Sequence, residues 1–200
     1  LFDRLKELLP ASAQTLLRVQ YRMHEDIMRF PSQEFYEGKL IADESVAKHL
    51  AVELPGVAPS DLTSRPVTYV DTAGAGFEEV WNEMLESREN KGEAELAVKL
   101  LYELLGSGFK PKDVALLTPY TAQAKLLKTM VREPGLEIGS VDGFQGREKE
   151  AVILSLVRSS EAGQIGFLSD MRRLNVAITR ARRCLIVVGD SATIGRHPVY

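Results

Sequence analysis

The chain has 200 residues, 44% of them hydrophobic, with 28 acidic and 25 basic side chains and a formal net charge of -3. That length and hydrophobic fraction suit one α/β domain with a proper core, and the negative balance excludes a protein that coats nucleic acid by bulk charge. No apolar run approaches the roughly 18 residues of a membrane span, so no membrane partner is expected.

Read in chain order, short apolar runs alternate with helical patterns, the signature of a mostly parallel sheet flanked by helices. Residues 15–19 form the first candidate strand, followed by the polar cluster Gln20-Tyr21-Arg22-Met23-His24. Residues 67–71 form the next. The stretch 77–95 then carries seven glutamates against Arg88 and Lys91, and its simplest reading is a solvated, mobile excursion. A helix is predicted over 93–105, with Leu96, Leu100, Leu101, Leu104 and Leu105 at helical spacing. Asn90 stands at its N-cap with Glu93 as the reciprocal carboxylate, and Gly106 and Gly108 supply a stop. Residues 114–118 make another strand, ending in Thr118-Pro119-Tyr120. A helix over 121–131 follows, with Leu126, Leu127 and Met130 inward. Strands at 137–141, 152–157 and 185–189 complete the pattern, and the polar run Asp142 to Glu148 follows the first of these.

Ligands of open α/β sheets gather beyond the carboxyl ends of strands. Three polar clusters, after residues 19, 118 and 141, are therefore expected on one shared face. Cys184 is the single cysteine and opens an apolar run, so it reads as core, and His24, His49 and His197 share no metal-ligand spacing with it. No metal site is expected. The chain starts at Leu1, which suggests a piece of a longer polypeptide, and the expected setting is intracellular, cytoplasmic or nuclear.

Residues 172–183 read RRLNVAITRARR, five arginines with no acid. So local a set of permanent charges needs an anionic partner, and phosphate is the first to consider. Met171, Leu174, Ile178 and Ala181 recur at helical spacing, and on a continuous helix Arg180 and Arg182 would stand about 200° apart, serving different ligands. A phosphate cradle is missing: Gly38-Lys39 is followed by Leu40, and Gln33 stands where the first glycine of a P-loop belongs. Leu40-Ile41-Ala42-Asp43-Glu44 imitates a strand with a magnesium-binding acid pair but is short and poorly β-branched. Arginines suited to phosphoryl transfer, without the parts that hold nucleotide and metal, describe a domain that completes a site built by another.

Four blocks together resemble the superfamily 1 helicases of the Upf and Smubp (immunoglobulin mu-binding protein) branch, in their second, C-terminal RecA-like domain. They are Leu17 to His24 with Phe35-Tyr36-Glu37-Gly38, Thr118-Pro119-Tyr120, Ser140 to Glu150, and Arg173 to Arg182. The resemblance spans nearly all of residues 1–200 as one domain. It implies a RecA-like (P-loop NTPase-like) α/β fold without its own P-loop, in an ATP-dependent helicase translocating 5′ to 3′ on single-stranded RNA or DNA. It further implies that ATP and Mg2+ are held mainly by a first RecA-like domain of the same polypeptide, absent from this chain, so that the isolated chain is inactive.

By the same resemblance Arg22 and Arg180 reach the γ-phosphate, Gln20 and Tyr21 meet the nucleotide, and Gln145, Gly146 and Glu148 line it and couple it to the strand. Thr118, Pro119, Tyr120 and Ser140 contact the single strand. Asp142 and Arg147 are either salt-bridged or ligand contacts, and Arg182 and Arg183 either internal ion pairs or functional. Phe30, Phe35 and Tyr36 read as packing, and Trp81 as a packing anchor or an interaction point. The rival from another class is a non-catalytic nucleic-acid or protein platform derived from such a domain.

Overall fold

The computed structural model describes residues 7–144, 146–160 and 162–197. The chain enters through a short strand, β1 (Val19–Gln20), and a helix, α1 (Glu25–Tyr36). It continues through β2 (Ile41–Ala42) and the single turn α2 (Glu44–Ala47). After β3 (Val67–Asp71) come the hairpin strands β4 (Val80–Asn82) and β5 (Ser87–Glu89), then helix α3 (Lys91–Gly106). The rest is β6 (Val114–Thr118), α4 (Thr121–Met130), β7 (Glu137–Ser140), β8 (Lys149–Ser155), α5 (Met171–Ile178), β9 (Ala181–Gly189) and the turn α6 (Ser191–Ile194).

Five of the strands form one sheet in the order β3-β9-β8-β6-β7, every neighbouring pair parallel. Their apolar residues alternate between two cores because side chains of a strand point to opposite faces. Leu117, Val152, Leu154 and Leu185 meet α1 and α5 through Ile27, Leu174 and Ile178. On the other face Leu116, Ile153, Cys184 and Ile186 meet Leu100, Leu101 and Leu104 of α3 and Leu127 of α4. A fully buried leucine of this kind stabilises the fold by about 2 kcal/mol. Cys184 is core, its thiol pushed up to about 12 by burial. Among the described residues no helix is long and apolar enough to cross a membrane.

Several sequence expectations need correction. The first strand is two residues long, at Val19–Gln20 rather than 15–19, because Leu16 and Leu17 are exposed and only Val19 and Gln20 pair, with Ile41 and Ala42. Asp43 is the N-cap of α2, accepting from Ser45 N at 3.0 Å. Leu127 is buried as expected, whereas Leu126 and Met130 are only partly so. Gly106 is still helical, and the stop is Gly108, with φ +103° and a missing Cβ that would lie 1.9 Å from Gly56 O.

The acid-rich stretch is not a solvated excursion. It folds into the β4–β5 hairpin and the first turn of α3. Glu79 lies between two guanidiniums, accepting from Arg88 at 2.8 Å and from Arg158 at 2.7 and 3.2 Å, with Ser159 N at 2.9 Å. Composition counted its charge but not its partners, one of which is 79 positions away in the chain.

Asn90 does cap α3, its side chain accepting from Glu93 N at 3.0 Å, yet Glu93 does not reciprocate. Its carboxylate turns inward, fully buried, to accept from Ser155 Oγ at 2.6 Å and Val157 N at 2.8 Å, while Gln123 Oε1 takes the Asn90 N–H. Burial pushes the Glu93 carboxyl up to about 7, against hydrogen bonds that favour the charged form. The folded chain therefore holds a proton here that the unfolded chain gives up near pH 4.5, so this contribution is fully present below that pH and lost as pH rises through 7. Glu93→Gln, which keeps an acceptor for Ser155 and Val157, is expected to lose less stability than wild type between pH 5 and 8, measured by thermal unfolding across that range.

Candidate functional site

The sheet's two ends carry different clusters. At the amino ends of β8 and β9, Lys149 and Ala181 pair, and Lys149 N donates to Arg180 O at 2.9 Å. Around this first rung stand Arg22, Glu148, Arg180 and Arg182. At the carboxyl ends of β6 and β7, Thr118 and Ser140 pair. The expectation of one shared strand-end face is thereby corrected. The segment 141–148 starts beside Thr118, with Val141 N bonded to Thr118 O at 3.0 Å, and returns along the sheet to the opposite end.

The turn after β1 is built by Gln20, whose Oε1 accepts from Arg22 N at 2.9 Å and Met23 N at 2.7 Å while its amide donates to Met23 O at 2.8 Å. Gln20 is thus a brace for the loop that presents Tyr21 and Arg22. Tyr21 is 66% exposed, its ring free to stack on a ligand. Arg22 reaches the Glu148 carboxylate through Nε and Thr179 O through Nη1 at 3.1 Å. Arg180 is half-buried and held by its own surroundings: Nε donates to Val176 O at 2.9 Å, Nη1 to Arg147 O at 3.0 Å and Nη2 to Thr179 Oγ1 at 3.2 Å. Burial, then the nearby Arg22 charge, lower its pKa, and Glu148 opposes them. Two guanidiniums that repel one another thus meet beside Thr179 and one carboxylate, an arrangement that favours an added anion.

The helix through Arg172 to Arg183 stops at Ile178; Thr179 and Arg180 turn and β9 starts at Ala181. The continuous helix behind the 200° argument is therefore absent, yet Arg180 and Arg182 do take different partners: Arg180 bonds Val176 O and Arg147 O, whereas Arg182 Nη1 lies 3.3 Å from Glu148 Oε1, on the same carboxylate as Arg22. A register shift in the β8–β9 ladder sets two residues of β9, Arg182 and Arg183, against one of β8, Glu150. With it, Arg182 and Arg183 both reach Glu150, at 3.4 and 3.0 Å, and Arg183 also meets Glu53 at 3.1 Å. Both are ion-paired inside the domain. Asp142 pairs with Arg173 at 3.3 Å, and Arg147 bonds Glu137 and lies over the Phe144 ring. Gly146 has φ +82°, which suits glycine; Gln145 lies outside the described residues.

At the carboxyl edge the four strand-contact candidates divide. Thr118 and Tyr120 are buried: Thr118 Oγ1 accepts from Tyr120 N at 3.3 Å, and the Tyr120 ring packs edge-on to Phe167 at 5.7 Å. Pro119 and Ser140 are partly exposed, and Ser140 Oγ accepts from Gly143 N at 3.3 Å. His24 and His49 are buried with stacked rings; His24 N and His49 Nε2 lie on Arg182 O, both at 2.8 Å, which fixes the backbone between Arg180 and Arg182. Spacing alone carried no sign of that. Among the described residues no group of three or more His, Cys, Asp or Glu is placed to hold a metal.

Glu148 is the counter-charge of this cluster. Glu148→Gln is expected to lower the unfolding free energy by about 1 kcal/mol at low salt, most of it regained near 1 M salt. Urea denaturation at the two salt concentrations checks this.

Residues 1–192 match the family model described as an AAA domain. The chain is 48% identical over 199 residues to DNA-binding protein SMUBP-2 of Mesocricetus auratus, covering 98% of this chain and 20% of that protein. It is 43% identical over 201 residues to DNA polymerase alpha-associated DNA helicase A of Schizosaccharomyces pombe, covering 97% and 30%. To ATP-dependent helicase upf1 of the same yeast it is 37% identical over 213 residues, covering 100% and 22%. The chain thus spans between 20% and 30% of the length of these relatives. With a matching model over almost all of its residues and such relatives throughout, the chain belongs to the AAA domain family and, within it, to the Upf1-like superfamily 1 helicases.

Proposed function

We propose that this chain is the C-terminal motor domain of an intracellular ATP-dependent helicase, working in cytoplasm or nucleus with a first RecA-like domain of the same polypeptide. The observation that carries the reading is the meeting of Arg22 and Arg180 beside Thr179 and Glu148, at the sheet end opposite Ser140. Guanidiniums fixed in this way are suited to an anion whose charge grows in a transition state. The residues fit the outer half of a nucleotide site: exposed Tyr21 for the base or sugar, and two arginines for the terminal phosphate. ATP with Mg2+, bound mainly by the first domain, supplies the phosphoryl group.

Arg180 is the better-fixed finger, because three acceptors hold it against the cluster's own repulsion. Arg22 is the exchangeable one, moving from Glu148 to phosphate as the domains close. Gly146 and Glu148 carry that change along the segment 141–148, which begins beside Ser140 at the strand-facing edge. There the Ser140 hydroxyl donates to a backbone phosphate of single-stranded RNA or DNA and the Pro119 ring offers apolar contact to the sugar, while buried Thr118 and Tyr120 position the turn. Alternating closure and release would step the domain along the strand, 5′ to 3′ as the family resemblance implies.

In the full-length protein Arg180→Ala is expected to abolish ATP turnover while nucleotide affinity stays within about tenfold, as for loss of a group that acts only in the transition state. Steady-state hydrolysis alongside equilibrium nucleotide binding measures both. Normal turnover by the variant would remove Arg180 from the finger role.

A further inference from the structure

Next to the Pro119 turn, an open cleft of about 790 Å³ brings Trp81 of the hairpin and Phe167 of the loop after β8 onto one surface. Both aromatics are about half exposed, Trp81 at 48% and Phe167 at 53%. Each is backed by a guanidinium: Arg88 lies 5.7 Å from the indole centroid and Arg173 lies 5.1 Å from the Phe167 ring. Tyr120 and Arg158 form the floor.

The hairpin is no loose flap. Glu79 ties Arg88 on β5 to Arg158 beyond β8, so Trp81 stands on a braced element. Arg158 in turn follows Val157, a β-branched residue at φ +74°, a costly conformation held by Glu93 on its N–H and by Asn90 Nδ2 on its carbonyl at 3.2 Å. Strain and a buried carboxylate are thus spent on aiming the residues of this cleft.

Charge selects the ligand. Three carboxylates balance the three guanidiniums: Glu79 is shared by Arg88 and Arg158, and Asp142 and Asp170 both face Arg173, at 3.3 and 4.0 Å. The cleft therefore lacks the excess positive charge that a phosphate requires, and it offers flat π faces backed by cations. That is the chemistry of an uncharged planar group. A guanidinium on an indole leaves nearly half the indole open to a further stacked ring, as in sequence-tolerant binding of single strands.

We propose that Trp81 and Phe167 are a stacking subsite for bases of the single strand whose backbone is held at Ser140. This rests on the strand-binding reading above and adds a base-dependent contact to it. Exposed glutamates on the same hairpin, Glu83 and Glu86, keep the phosphates of that strand on the Ser140 side.

The test uses the full-length protein, an oligothymidylate, and an abasic oligonucleotide of the same length and charge, followed by fluorescence anisotropy. Trp81→Ala and Phe167→Ala are each expected to weaken oligothymidylate binding about tenfold, the size of one lost base stack, and to leave abasic binding within about twofold. Trp81→Phe, which keeps an aromatic face, is expected to restore most of the difference. Equal losses on both oligonucleotides would overturn the proposal in favour of a fold or charge effect. Unchanged oligothymidylate binding would overturn it in favour of a protein-facing hairpin. Wild-type protein that bound neither oligonucleotide would overturn the strand-binding reading itself, and the subsite with it.

Discussion

The hydrogen bond from Lys149 N–H to Arg180 C=O is the first rung between β8 and β9, and the placement of the charged cluster depends on it. It joins the end of one segment, 141–148, to the end of another, α5 with its Thr179-Arg180 turn. Both segments connect the two ends of the sheet. Asp142 and Arg173 join them near the carboxyl ends of β6 and β7, at 3.3 Å, and Arg180 Nη1 on Arg147 O joins them at the other end, at 3.0 Å. Two connectors tied at both ends transmit a displacement better than one loop would, because neither can shift without straining the other's bonds.

The cost of the arrangement is electrostatic. Arg22, Arg180 and Arg182 stand around a single carboxylate, and Arg180 is disfavoured in its charged form by burial and by Arg22. Backbone carbonyls of Arg147 and Val176 compensate for part of that desolvation, since a guanidinium has five donors to satisfy. An anion bound at such a cluster would remove a repulsion as well as add an attraction.

Much of the scaffold was legible in the chain because burial on both faces writes itself as continuous apolar runs. Val114–Thr118, buried throughout, matches its predicted bounds for that reason; Val67–Asp71 also matches, although it is a partly exposed edge strand, and the N-cap at Asn90 stands where the residue pattern puts it. Several errors came from features that a local pattern does not carry. Helical spacing ran from Met171 to Ala181 only because Ala181 faces inward in a strand as it would in a helix, so periodicity could not see the turn at Thr179. Glu79 and Glu93 looked like solvated charge because their partners, Arg158 and the Ser155–Val157 end of β8, lie more than 60 positions away. Of the candidate site, Arg22, Glu148 and Arg180 stand together, yet the separation of that group from Ser140 follows from strand direction and not from motif order.

The same buried carboxylate that misled the composition argument links the carboxyl end of β8 to the hairpin. Glu93 fixes Val157 in a left-handed conformation, and the chain turns there so that Arg158 meets Glu79. Glu79 holds the hairpin, and the hairpin holds Trp81 over the cleft. Each link is a hydrogen bond or ion pair with a buried member, so the series is stiff and poorly screened by salt. A hairpin attached only through its own β4–β5 bonds would be marginal in water. Pinned through Glu79 to the end of β8, it becomes an extension of the sheet.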